Sequence, residues 1–227
     1  MSVIQLASPG EVDWIKRFDP QKRLLTGRAY ESAKRAMDLA LVVLSSPVWS
    51  LLLGTIAISI WLSAPGKPVL FYHLRTGKHG KRFYMYKFRT MVPNAEELKP
   101  KYAHLNELKW PDFKITNDPR VTPIGRLLRK TSMDELPQLI NVLRGDMSLV
   151  GPRPTSYSSK NYKLWQTGRF DVVPGMTGLW QILGRGSVDI DTKSRLDIAY
   201  IERASLWLDI NILFRTIPVV LQRRGVH

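Results

Sequence analysis

The sequence predicts an α+β fold, mainly helical, attached monotopically to one face of a membrane through a re-entrant helix-break-helix, with a small β-hairpin and amphipathic interfacial helices. Three observations predict it. Residues 39–66 contain no charged side chain, residues 69–91 read as two short strands about a glycine-bearing turn, and residues 191–224 place apolar and basic positions at helical spacing.

Residues 1–29 read as an N-terminal extension broken by Pro9-Gly10, Pro20 and Gly27, with one short interfacial helix around Trp14 and Phe18. Residues 30–66 follow as the membrane element. As a straight helix the uncharged run would reach about 42 Å at ~1.5 Å per residue, ample for a hydrocarbon core of ~30 Å. A single spanning helix is therefore the simplest reading of its length. Two features oppose it: Ser45-Ser46-Pro47 interrupts the run, and both flanks are basic. Proline removes a helix hydrogen bond and serine hydroxyls can satisfy the freed carbonyls, so Ser46 and Pro47 are expected at the apex of a hairpin. Lys34 and Arg35 precede the run, while Lys67, Arg75, Lys78, Lys81, Arg82, Lys87 and Arg89 follow it with no acid between them, which keeps both ends on one side.

Residues 67–227 form the remaining domain. Strands are expected at 69–72 and 83–88, a helix at 95–108, a turn at Asn117-Asp118-Pro119-Arg120 and a short basic helix at 124–130. Asp134 and Glu135 then open an apolar helix, and Ser132 with Glu135 fits a capping box. A strand is expected from Met147 to Val150, with Asp146 as a turn residue before it. Residues 152–186, punctuated by proline and glycine, read as mainly loop. For the C-terminal helices an interfacial face and a core face fit equally well.

Lys+Arg 34 against Asp+Glu 19 gives a net charge of +15, which implies an anionic partner. Zero cysteines exclude disulfides, thiolate zinc sites and thiol chemistry. No secretory signal is visible, because the first long apolar run begins after residue 38. Walker A, His-Glu-x-x-His and Gly-x-Ser-x-Gly motifs are all missing. His73, His79, His104 and His227 are scattered and read as ordinary residues.

One segment exceeds what a fold needs: Thr131-Ser132-Met133-Asp134-Glu135-Leu136-Pro137-Gln138, continuing through Asn141, Gly145-Asp146-Met147-Ser148 and Val150-Gly151-Pro152-Arg153-Pro154. With Lys87-Phe88-Arg89-Thr90-Met91, Pro174-Gly175-Met176-Thr177-Gly178-Leu179 and Gly184-Arg185, it resembles the bacterial sugar transferases, the polyprenyl-phosphate phosphoglycosyl transferases. The likeness runs over residues 34–216. It implies a bacterial inner-membrane enzyme on the cytoplasmic face that moves a sugar 1-phosphate from a UDP-sugar to polyprenyl (undecaprenyl) phosphate, releasing UMP and starting glycan synthesis.

The resemblance also assigns roles. Asp134 is the implied nucleophile on the sugar-side phosphorus, with Glu135 beside it, and both are expected at one Mg²⁺. Arg153, fixed between prolines, is expected to clamp phosphate. Arg129, Lys87, Arg89 and Arg185 are the further candidates for substrate binding, and Asp209 is expected to be the structural partner of an arginine. The segment 200–209 is similar to exopolysaccharide-initiating members, which favours a UDP-hexose. Partners implied are UDP-sugar, polyprenyl phosphate and an anionic phospholipid bilayer; no nucleic acid is expected, and homo-oligomers are allowed. Two other readings fit part of this pattern: a basic membrane-anchored protein that binds lipid or nucleic acid without chemistry, and a metal-dependent phosphatase or nucleotidyl enzyme using water as acceptor.

Overall fold

A computed structural model describes residues 13–107, 115–183 and 189–221. It is α+β and mainly helical, with a long broken helix laid across a compact body that holds two small sheets.

Helix α1 (Gly27–Leu44) ends at Ser45, and α2 (Ser46–Ser63) starts at the next residue. The break thus falls one residue before the expected apex, with Pro47 in the first turn of α2. The carbonyls released there are satisfied locally. Ser45 Oγ donates to Leu41 O at 2.6 Å, and the Trp49 indole N–H donates to Val42 O at 2.8 Å. Such repair is required where water is scarce. Among the described residues α2 is the one helix long and apolar enough to cross a membrane. Leu44, Val48 and Leu51, next to the break, are each about two-thirds or more exposed.

Both arms nevertheless dock on the same body. In α1, Asp38 accepts from Ser148 Oγ at 2.6 Å, and Arg35 donates to the Leu143 carbonyl at 2.8 Å. Tyr30 and Lys34 reach Asp209 at 2.8 and 2.9 Å, and Tyr200 donates to the same carboxylate at 2.6 Å. The partner of Asp209 is therefore a lysine and two tyrosines, a correction to the expected arginine. Val42 joins a core of Phe83, Met85, Leu139, Val142 and Met147. At the far end of α2, Ile56 and Ile60 pack on Phe88 and Leu128.

Strands β1 (Leu70–Thr76) and β2 (Arg82–Phe88) form the expected antiparallel hairpin, β1 running four residues past the expected end at Tyr72, where Thr76 N–H also bonds Thr155 O at 2.9 Å. Its outer edge is finished by a side chain. Fully buried Asn141 donates to Tyr84 O at 2.7 Å and accepts from Tyr86 N–H at 3.0 Å, acting as one peptide unit of a third strand.

The helix expected at 95–108 is instead a series of turns ending in a 3-10 turn, Ala103–Leu105, and residue 108 lies outside the described residues. The turn at 117–120 and the basic helix are present, the latter as α3 (Pro123–Lys130), capped by Thr122 Oγ1 accepting from Gly125 N–H at 3.0 Å. A Cβ at Gly125 would lie 2.0 Å from Thr90 O, so only glycine lets α3 approach the hairpin's exit this closely. Beyond α4 (Gln138–Arg144), β3 (Ser148–Val150) pairs in parallel with β4 (Gly175–Thr177). Of the segment 152–186 expected as mainly loop, residues 184–186 lie outside the described residues, and the rest also holds the 3-10 helix Leu164–Phe170 and α5 (Leu179–Leu183).

Helices α6 (Ile190–Arg203) and α7 (Leu206–Leu221) bury Leu196, Tyr200, Leu208 and Ile212 together with Val150 and Leu179. The core reading thus holds for one face of the C-terminal pair, while Trp207, Phe214 and Ile217 leave the other apolar and exposed. In the extension, the 3-10 turn Asp13–Arg17 buries Ile15 against this core, with Trp14 and Phe18 packed alongside; these aromatics serve the body rather than a free interfacial helix. Residues 1–12 lie outside the described residues.

Candidate active site

The chain reverses sharply before the acidic pair. Ser132, at φ 56°, adopts the left-handed region that side chains other than glycine rarely occupy. Met133–Glu135 is a 3-10 turn and α4 begins only after Pro137, so Asp134 and Glu135 precede the helix rather than open it. The capping box is not made: Ser132 gives no side-chain cap, and Glu135 points elsewhere. This reversal tucks Asp134 to 8% exposure.

The two carboxylates differ in kind. Glu135 is locked between cations, accepting from Lys87 Nζ at 2.7 Å and from both terminal nitrogens of Arg153, one at 3.1 Å. Burial alone would raise its pKa, but Arg153 and Lys87 outweigh that and hold it well below the usual carboxylate range. Asp134 accepts no hydrogen bond among the described residues, and its Oδ2 lies 3.7 Å from Lys87. Its pKa is raised by burial, with the Glu135 charge adding to the effect and Lys87, Arg129 and Arg153 opposing it. An adjacent pair pushed in opposite directions marks two different settings: one carboxylate locked between cations and one without a hydrogen bond among the described residues.

Lys87 arrives on β2 and Arg153 on the turn after β3. Arg153 also donates to Met176 O at 3.4 Å, while its own carbonyl accepts from Arg169 at 2.8 Å. Arg169 is buried, pairs with Asp197 at 2.9 Å and lies over the Tyr162 ring. Burial pushes Asp197 up to about 7 against the pull of Arg169 and Lys193. Arg129 donates to Thr90 Oγ1 at 3.0 Å and adds positive potential at Asp134; burial lowers its own pKa.

Arg89 is a correction. Its guanidinium donates to Ile60 O at 3.2 Å, at the C-terminal end of α2, where the last carbonyls lack helical partners and the helix dipole favours a cation. It ties the exit of the hairpin to the end of α2. Arg185 lies outside the described residues. The expected apex residues Ser46 and Pro47 sit just past the break and far along the chain from this cluster.

Sequence reasoning missed Arg75, which lies on the hairpin face of Lys87 and interacts with Glu135 and Arg153. Strand alternation over three more residues would have placed it there. It also missed the Arg169–Asp197 pair behind Arg153, for which a lone acid on the apolar face of a helix was the available signal.

Fold and site together define a protein that sets a free carboxylate among cations, beside a broken apolar helix. The chain belongs to the bacterial sugar transferase family, whose model matches residues 29–223. It is similar to the undecaprenyl-phosphate galactose phosphotransferase of Salmonella typhimurium, at 45% identity over 89% of this chain and 43% of that protein. It is also similar to the exopolysaccharide production protein ExoY of Rhizobium meliloti, 38% identical over 86% of this chain and 88% of that protein. A third relative is the UDP-N-acetylgalactosamine-undecaprenyl-phosphate N-acetylgalactosaminephosphotransferase of Aeromonas hydrophila, 38% identical over 90% of this chain and 47% of that protein. The chain thus spans less than half the length of several relatives it matches and most of the length of ExoY.

Proposed function

We propose that this protein transfers a sugar 1-phosphate from a UDP-sugar to undecaprenyl phosphate, working at the cytoplasmic face of the bacterial inner membrane to begin a polysaccharide. The observation that carries this reading is the inequality of the acidic pair: Glu135 is consumed by Lys87 and Arg153, and Asp134 stands among cations with no hydrogen bond among the described residues. The named substrates of the relatives, undecaprenyl phosphate with galactose or UDP-N-acetylgalactosamine, supply the substrate class.

In this reading Asp134 attacks the sugar-side phosphorus, forming an acyl phosphate and releasing UMP; the lipid phosphate then attacks the same phosphorus and restores the carboxylate. Anion repulsion is the obstacle in both steps. Lys87 and Arg129 flank Asp134 and offset the charge of donor and acceptor, while Glu135 keeps Lys87 and Arg153 extended and aimed. Burial makes Asp134 more basic and excludes the competing water.

Mg²⁺ fits this centre through Asp134, a hard oxygen donor without a hydrogen-bond partner; among the described residues no cluster of three acidic or histidine ligands exists. One or two carboxylates with substrate phosphates and water suffice for Mg²⁺, which would neutralise phosphate charge when bound. Glu135, doubly ion-paired, is the weaker candidate ligand.

The broken helix supports a re-entrant topology. Asp38 and Val42 on α1 and Ile56 and Ile60 on α2 contact one body, so both arms return to the same side while exposed Leu44, Val48 and Leu51 enter the lipid. The reaction is tested by incubating the protein with UDP-galactose and no lipid acceptor. Intact mass should rise by one phosphohexose as UMP appears, and Asp134→Asn should abolish both. Release of UDP, or an adduct on the Asp134→Asn protein, would overturn the assignment.

A further inference from the structure

The cations on the hairpin outnumber the anions facing them. Strand register places Phe71, His73 and Arg75 of β1 on one face with Phe83, Met85 and Lys87 of β2, so His73 lies between the two cationic positions, Arg75 and Lys87. The Arg75 guanidinium bonds the Ser156 hydroxyl, but its Nε is buried without a hydrogen-bond partner among the described residues. Arg82, which donates to Thr76 Oγ1 at 2.6 Å and Ser156 O at 3.0 Å, crowds it with like charge, as does Arg153. The opposing carboxylate is Glu135, already shared by Lys87 and Arg153. Burial and then Arg153 lower Arg75 to about 10.

His73 matches this setting. Its ring stands edge-on to Phe71 at 4.5 Å between centroids, and it makes no hydrogen bond among the described residues. Burial, Arg75 and Lys87 lower its pKa to about 4, so at neutral pH it offers one N–H donor and one acceptor without adding charge. Cations packed against their own repulsion, with a buried donor unfilled, are completed by an anion.

We propose that Arg75, with the imidazole of His73 beside it, forms the subsite for the nucleotide-side phosphate of the donor, the one that departs in UMP. This rests on the reading that Asp134 attacks a UDP-sugar. With the sugar-side phosphorus at Asp134 and Lys87, the second phosphorus lies one bridging oxygen further along the hairpin, toward Arg75. As the Asp134 oxygen–phosphorus bond forms, the bond from that phosphorus to the bridging oxygen breaks. The bridging oxygen keeps the electron pair, so UMP leaves as a dianion with one more negative charge than its phosphate carried in the donor, and no proton moves. Arg75 meets that added charge as it develops.

The deciding measurement is the preference of the full chain, in lipid nanodiscs, for UMP over uridine, two probes that differ only in the phosphate. Arg75→Ala should reduce that preference at least about tenfold, equivalent to ~1.4 kcal/mol. Arg75→Lys should retain part of it, His73→Ala should weaken it less, and His73→Gln should restore it. In steady-state UMP release with the lipid acceptor present, Arg75→Ala should lower kcat more than it raises KM. Where Arg75→Ala fails to fold, Arg75→Lys answers the same question. An unchanged preference in a folded Arg75 variant, while wild type still releases UMP from UDP-galactose, overturns the subsite alone. A wild type that neither binds UMP nor releases it overturns the underlying reaction and the subsite with it.

Discussion

Replacing Glu135 by glutamine removes the anion that Lys87 and Arg153 share, and the cost can be worked from the contacts. Lys87 bonds Glu135 at 2.7 Å and Arg153 does so with both terminal nitrogens. Hydrogen bonds to charged groups contribute about 1.5–3 kcal/mol each. The three side chains keep 20–27% of their exposure, and glutamine remains a neutral acceptor, so both reduce the loss. About 2–3 kcal/mol is expected in total, and at ~2–4 °C per kcal/mol for a chain of this size the unfolding midpoint should fall by about 4–12 °C at pH 7. The pH dependence has a definite sign. Because the cations depress the folded-state pKa of Glu135 below its ordinary 4.5, its stabilisation is complete above about that pH and disappears as pH falls through the lower folded value. The difference between wild type and Glu135→Gln should therefore be constant at neutral pH and shrink only in acid. Differential scanning fluorimetry in detergent across pH 3–8 measures both; an unchanged midpoint at pH 7 would refute the claim that this carboxylate holds the two cations.

Asp134→Asn should act oppositely on stability while it abolishes the adduct: its folded pKa is raised, so ionisation costs stability as pH rises above the ordinary carboxylate value, and the neutral variant should melt higher at pH 7. Asn141→Ala strips two ladder bonds from the buried edge of β2 and should cost about 2–4 kcal/mol, read as faster amide exchange at Tyr86. Single cysteines at Arg28 and Lys81, in a chain with zero native cysteines, should be labelled from one side of the membrane; opposite-side labelling would establish a spanning helix. Chelation should stop turnover and added Mg²⁺ restore it, whereas full activity in excess EDTA would remove the metal from the mechanism.

The sequence alone was enough for what depends on local chemistry. An uncharged run with a proline predicts an apolar broken helix because backbone hydrogen bonding responds to the residue itself. Alternation about a glycine-bearing turn predicts the hairpin, and the basic apolar run at 124–130 predicts α3 to within one residue. The chain's motifs likewise singled out Asp134, Glu135, Lys87 and Arg153, which tertiary structure then brought together. What only the tertiary structure decided is which partner each side chain takes. Arg89, two residues from Lys87 and so expected on the same face, turns to the Ile60 carbonyl instead because β2 ends at Phe88 and Ile60 packs against that residue, which brings the end of α2 within reach. Glu135 pairs with cations rather than capping a helix because Ser132 reverses the chain and points the carboxylate at the hairpin. Asn141, read as one letter of a motif, proves to be the edge of a sheet, and the parallel β3–β4 pair forms between segments 25 residues apart or more, beyond the reach of any local pattern. Spacing along a chain reports faces and turns; charge neutralisation and ladder completion are settled between elements distant in sequence, by whichever groups the packed core leaves within hydrogen-bond reach.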